Sequence, residues 1–208
     1  MSVFEVRKFI VIFYIVGTVG FLIPYTKAFF ISITPAALIL NVYLLALYHS
    51  RYTRKTLFAF LLIWALGFSI EAIGVDTGLI FGSYRYGSGL GFKLFDTPLL
   101  IGVNWLFLSY ASLSVVSRFR LNTVLTVLLA PCLMLVYDMV LEQVAPKMDM
   151  WSWQSSAVPL QNFIAWYFIA LVFVAILKWC KVNTENALSK IVLLSQFVFL
   201  ILLLLILQ

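Results

Sequence analysis

Asp138 and Glu142, in the stretch YDMVLEQ, stand four residues apart inside an otherwise apolar run. On a helix that spacing stacks both carboxyls on one face. Two nearby carboxylates in a poorly hydrated site disfavour joint ionisation. Such a pair can divide general acid–base work, one group giving a proton and the other accepting it. Glu71, in FSIEAIGV, is a third carboxyl in an apolar run. Ionisable residues there usually face the interior of a bundle and mark function. Asp76 follows five residues later, where the run is ending. Each acid also has a plainer reading. Glu71 could tie helices together, Asp76 could cap or solvate a loop, and acids four apart are common at helix ends.

Around these acids the chain places Tyr84, Tyr86, Trp105, Trp151, Trp153 and Trp166. Aromatic faces stabilise a nearby cation and pack against flat apolar ligands. An interfacial aromatic belt accounts for Trp151, Trp153 and Trp166 equally well. Asn104 and Asn162 could orient water or a carboxyl, or bind one helix to another. His49 is the single histidine, which argues against a histidine-rich metal site, a haem or a Ser-His-Asp triad. Cys132 and Cys180 lie in apolar runs without ligand spacing and read as small packing residues. No metal ligand is assigned.

The elements that must position these residues are membrane spans. Of the 208 residues 64% are hydrophobic and 11% charged, against about half and about a quarter in a soluble domain. The solvent of such a chain is lipid. Apolar runs at about 4–23, 28–48, 57–75, 98–117, 121–141, 162–179 and 191–207 are each near the ~20 residues a spanning helix needs. The expected fold is therefore all-α: one integral-membrane domain over 1–208, a bundle of about seven helices with irregular loops at the non-cytoplasmic face. The first run lacks a small-residue cleavage site and reads as a retained span.

The net charge of +6 comes from scattered residues rather than a stripe or arm, which speaks for topogenic charge and against nucleic acid. Arg7, Lys8, Arg51, Arg54, Lys55, Arg118, Arg120, Lys178, Lys181 and Lys190 fall on one side of the predicted spans, and Lys27, Arg85, Lys93 and Lys147 on the other. The positive-inside rule makes the first side cytoplasmic, in a multi-pass cell-membrane protein with the amino terminus inside and the carboxyl terminus outside. Glu71, Asp76, Asp96, Asp138, Glu142 and Asp149 lie at or near the opposite face. Two connections there are longer than a tight turn needs. Residues 74–91 hold six of the ten glycines, and residues 142–161 hold Trp151-Ser152-Trp153 and Pro159. Irregular backbone at membrane depth survives only buried in protein or lining a wet cavity, so both are candidate cavity walls.

The stretch EAIGVDTGLIFGSYRYGSGLGFKLFDTPLLIGVNW, Glu71 to Trp105, resembles the central signature of the carotenoid biosynthesis protein family. Its membrane-bound members include carotenoid 1,2-hydratases acting on γ-carotene, lycopene and bisanhydrobacterioruberin. YDMVLEQVAPKMDMWSWQSSAVPLQNFIAW, Tyr137 to Trp166, is similar to the family's second signature, although Gln143 stands where a proline often follows the second acid. The resemblance implies addition of water across the terminal C1=C2 bond of a ψ end group, giving a tertiary alcohol. It implies no metal or redox cofactor, a carotenoid substrate, and membrane lipid as the surroundings, with other carotenoid-pathway enzymes as potential partners. The oligomeric state is not legible. By the chemistry of the residues, Asp138 is the first choice of proton donor, Glu142 the base and Glu71 the alternative donor, with Asp76 at the mouth of the site.

Other readings remain open at this point. An end-group cyclase would begin with the same protonation and exclude water. A metal-dependent prenyltransferase needs a second acid-rich motif and basic residues for diphosphate, and no convincing set is present. A retinal protein needs a lysine in its last helix, and residues 191–207 have none. A non-enzymatic carotenoid or lipid carrier would bind the same ligand unchanged.

Overall fold

A computed structural model describes residues 2–155 and 157–207. The apolar runs form helices α1 (Val3–Leu22), α2 (Pro24–Ser32), α3 (Thr34–Leu47), α4 (Arg54–Thr77), α5 (Leu100–Ser117), α6 (Thr123–Val144), α7 (Leu160–Trp179) and α8 (Ser189–Ile206). Among the described residues, α4 to α8 are the five helices long and apolar enough to cross a membrane. The number is six if α2 and α3 count as one broken span. This is fewer than the seven expected. Helix α1 is 20 residues long, but Glu5, Arg7 and Lys8 crowd its first two turns. The second run is split at Ile33, where α2 and α3 meet with a bend of 54°. Pro24 and Pro35 each sit in the first turn of their helix. A proline lacks the N–H that a continuing helix would use, so it starts a helix more readily than it extends one.

Side chains set the other boundaries. Thr53 Oγ1 accepts from Thr56 N at 3.1 Å and begins α4, while Gly78, at φ 67°, ends it. Asn122 Oδ1 accepts from Leu125 N at 2.8 Å and begins α6. Helix α5 is the axis of the bundle. It packs against α3, α4, α6, α7 and α8, and most of its residues are buried. The outer helices turn Phe58, Leu61, Val124, Phe168 and Val172 outward, as lipid-facing helices do. Helix α4 can lie close against α5 because residue 67 is glycine: a Cβ there would stand 2.9 Å from Trp105 Cβ.

The two long connections are more ordered than their composition implies. Tyr84–Tyr86 forms β1 and pairs antiparallel with β4, Trp151–Trp153; the strands numbered between them are β2 (Lys93–Leu94) and β3 (Thr97–Pro98). The register sets Tyr84 opposite Trp153 and Tyr86 opposite Trp151. Strands β2 and β3 make a separate hairpin whose turn residues, Phe95 and Asp96, both have positive φ, as a two-residue hairpin turn of the favoured twist requires. A 3-10 turn, Ala145–Met148, joins α6 to β4.

A clasp prolongs the β1–β4 ladder. Asp149 Oδ2 accepts from the backbone N–H of Ser88 at 2.8 Å and from its hydroxyl at 2.5 Å. Gly89 N–H donates to Asp149 O at 2.7 Å. A Cβ on residue 89 would stand 2.3 Å from Met148 O, so this close backbone approach requires glycine.

Candidate functional site

Four helix ends meet beneath the β1–β4 ladder: the last turns of α4 and α6 and the first turns of α5 and α7. Glu71, near the end of α4, is 3% exposed. Its Oε2 accepts from the Tyr84 hydroxyl at 2.6 Å and the Tyr86 hydroxyl at 2.7 Å. Its Oε1 accepts from Trp105 Nε1 at 2.9 Å. Residues two apart on a strand point the same way, which is why both tyrosines reach one carboxyl.

Glu142, near the end of α6, is bound in the same manner. Its Oε2 accepts from Trp151 Nε1 at 3.0 Å and Trp153 Nε1 at 2.7 Å. Its Oε1 accepts from Asn162 Nδ2 at 3.1 Å. Asp138, one turn deeper and fully buried, has Asn162 Nδ2 3.4 Å from its Oδ2. Its Oδ1 is buried without a hydrogen-bond partner. Asn162 thus links the two acids of α6 from the first turn of α7.

The donors to Glu71 and Glu142 are neutral N–H and O–H groups, mostly on aromatic side chains, and these rings form the rest of the site. Trp105 and Trp166 stack with centroids 4.0 Å apart and planes 27° from parallel. Tyr84 lies 5.1 Å from Trp153, and Tyr86 lies 6.0 Å from Trp151 in an edge-on arrangement. The phenols of Tyr84 and Tyr86, in the loop strand, are pushed well above the usual tyrosine range, chiefly by burial. Both therefore stay protonated and keep donating.

Glu71, Glu142, Tyr84, Tyr86, Trp153 and Asn162 surround a cleft with about 10 Å³ open to the centre of a water molecule, roughly the space for one water. Phe81, Trp166, Ile101 and Trp151 complete its wall. Beyond Ile101 and Trp151 lies a far larger cavity of about 260 Å³, bounded by α1, α2, α3, α5, α6 and α8 and almost wholly apolar. Those two side chains line both spaces.

Most of the residues expected from sequence come together here: Glu71, Glu142, Tyr84, Tyr86, Trp105, Trp151, Trp153, Asn162 and Trp166 all line the cleft or donate to its carboxyls. Asp138 stands behind Asn162 and does not form the cleft wall. Asp76 is a correction. It is exposed on the last turn of α4 and is no part of the cleft, because five residues turn a helix by about 140° away from the Glu71 direction. Asn104 stands apart from the acid cluster, on the wall of the large apolar cavity. Sequence reasoning misses Phe81, Ile101 and the Ser88–Asp149 clasp. Only the clasp has a sequence signal, a short polar residue among glycines opposite an acid.

A comparison with curated proteins and one with solved structures each found no significant match. The sequence model described as carotenoid biosynthesis protein matches residues 13–208. That match takes in every helix from α2 onward, both signature loops and all three buried acids, and so the chain belongs to the carotenoid biosynthesis protein family.

Proposed function

We propose that this protein is a carotenoid 1,2-hydratase, adding water across the terminal C1=C2 bond of a ψ end group. One observation carries the reading: a water-sized cleft walled by two buried glutamates lies beside a large apolar cavity, with Ile101 and Trp151 lining both. In the reaction a carboxyl gives its proton to C2 as the C1=C2 π bond breaks, and a tertiary cation forms at C1. The aromatic faces of the cleft stabilise that cation. Water then forms the C1–O bond, and its surplus proton goes to the second carboxylate. Return of that proton from the second carboxyl to the first restores the site, and the sum is one water added with no change in oxidation state.

Position divides the roles among the acids. Glu71 and Glu142 touch the cleft, so they exchange protons with substrate and water directly. Glu71 is the donor and Glu142 the base. Asp138, first choice of donor from sequence, acts through Asn162 as a positioning residue for Glu142. The large cavity takes the apolar end of the carotenoid, and the polyene continues between helices or into lipid, over a length similar to the roughly 30 Å hydrocarbon core.

The orientation belongs to the same proposal. Counting α1 as a span beside α4 to α8 and the broken α2–α3 gives seven crossings of a cell membrane, with the amino terminus cytoplasmic and the cleft at the opposite face. The 10-to-4 division of basic residues supports it.

A second reading has its own support. Each glutamate receives three hydrogen bonds, as a purely structural lock between the loops and the bundle would. A protein built that way binds a carotenoid without changing it. Expression in a host accumulating lycopene or γ-carotene separates the readings. A product heavier by one water supports hydration, an isomer of the substrate indicates cyclisation, and bound but unchanged carotenoid indicates a carrier.

A further inference from the structure

At the other end of the bundle, where α1 and α8 begin and α5 ends, a polar pocket of about 420 Å³ lies among these three helix ends. Two guanidinium groups hold its wall to the chain entering α8. Arg118 Nη2 donates to Asn186 O at 2.8 Å, and Arg7 Nη2 donates to Ala187 O at 2.8 Å. Each arginine is anchored by one nitrogen on successive carbonyls, which leaves the remaining N–H groups of both planar forks for a ligand. Ser114 and Ser117 also line the pocket. Ser114 is 3% exposed, and both serine hydroxyls are buried with no hydrogen-bond partner. Leaving such a group unsatisfied is costly, and both residues stand in the pocket's wall. Glu185 is the single acid in the lining, so the positive charge exceeds the negative.

We infer that this pocket binds a phosphate group, held by the Arg7 and Arg118 forks and by the Ser114 hydroxyl. Arginine forks match the geometry of phosphate oxygens, and a phosphate accepts from hydroxyl and guanidinium together. The pocket lies at the end of helices that span a membrane, the depth of lipid headgroups. The same chemistry would also accept free phosphate. The inference is independent of the hydration chemistry, because none of these residues belongs to the acid cleft.

The test uses the purified full-length chain in nanodiscs of uncharged lipid. It is titrated separately with phosphatidylglycerol, with diacylglycerol of the same chains, and with inorganic phosphate, and bound ligand is counted by native mass spectrometry. Phosphatidylglycerol is expected to bind at least tenfold more tightly than diacylglycerol. Arg7→Gln with Arg118→Gln should weaken it by about tenfold or more, whereas Arg120→Gln, outside the pocket, should not. Ser114→Ala gives the sharper readout. Removing an orphaned hydroxyl should leave the thermal stability of the free protein unchanged or higher, yet loosen the phosphate ligand. Comparable arginine-dependent binding of inorganic phosphate identifies a free-phosphate site, and binding of phosphatidylglycerol alone identifies a headgroup site. Equal binding of diacylglycerol, or binding by the pocket variants as tight as by Arg120→Gln, overturns the inference.

Discussion

Trp105 Nε1 donates to Glu71 Oε1 across 2.9 Å, while the Trp105 ring lies against Gly67, one helical turn earlier on the same helix as Glu71. The tie between α4 and α5 therefore has two parts, a hydrogen bond and the close approach that makes it possible. Gly67→Ala adds a methyl 2.9 Å from Trp105 Cβ and should destabilise by about 1–3 kcal/mol, the usual range for overpacking. Gly17→Ala is the control, because its new methyl would meet the Phe199 ring no closer than 3.4 Å. Thermal unfolding of both variants in one detergent checks the difference.

The three acids should separate by their place relative to the cleft. Glu71→Gln and Glu142→Gln remove groups in its wall, and turnover should fall by about 10²–10⁴-fold. Asp138→Asn, behind Asn162, should cost less than either. Lys147→Gln should leave turnover near that of the unaltered protein. Rates are compared at equal bound carotenoid, so that loss of chemistry is distinguished from loss of binding. If the Glu71, Glu142 and Asp138 variants all turn over normally, these acids are structural ties and the carboxyl mechanism is wrong.

The clasp between the loops makes a prediction about acid. Hydrogen bonds from Ser88, first from its hydroxyl and then from its backbone N–H, hold the Asp149 carboxyl below the usual aspartate range. A carboxyl lowered on folding adds stability that is fully present above its unfolded value, about 3.9. That stability is lost as pH falls through the lower folded value. Protection of the Gly87 and Gly89 amides from hydrogen exchange, taken relative to the intrinsic rate at each pH, should therefore stay high at pH 5 and fall below about pH 4. Asp149→Asn should show faster exchange at pH 5 with a flatter dependence on acid. An unaltered profile in that variant would remove Asp149 from the clasp.

The site is partly legible in the sequence, for a physical reason. Carboxyls in apolar runs are rare because they are expensive, so Glu71, Asp138 and Glu142 stand out without a structure. Their partners are harder to assign. Tyr84 with Tyr86 and Trp151 with Trp153 are each two apart, but three-residue strands in glycine-rich loops leave no hydrophobic period long enough to read. The β1–β4 pairing that brings them over the acids is a long-range event. Asp76 misleads because nearness in sequence is not a shared helix face. The large cavity draws its wall from six helices and has no local signature. The break in the second apolar run is announced by Pro35, which follows the 54° bend between α2 and α3.

Orientation has a direct check. In a background without Cys132 and Cys180, a cysteine at exposed Ser155 should react with an impermeant reagent added outside intact cells. One at exposed Lys181 should react only after the membrane is opened. The reverse pattern would turn the protein over and place the acid cleft on the cytoplasmic side.

In the proposed reaction the cleft acids add water to a carbon–carbon double bond. Its most direct test is turnover of lycopene or γ-carotene by the purified protein in water carrying both heavy oxygen and deuterium. The expected product is a tertiary alcohol with one heavy oxygen on C1 and one deuterium on C2, formed by the unaltered protein and lost in Glu142→Gln. A product of unchanged mass apart from deuterium, or an alcohol whose oxygen does not come from the water, would contradict it.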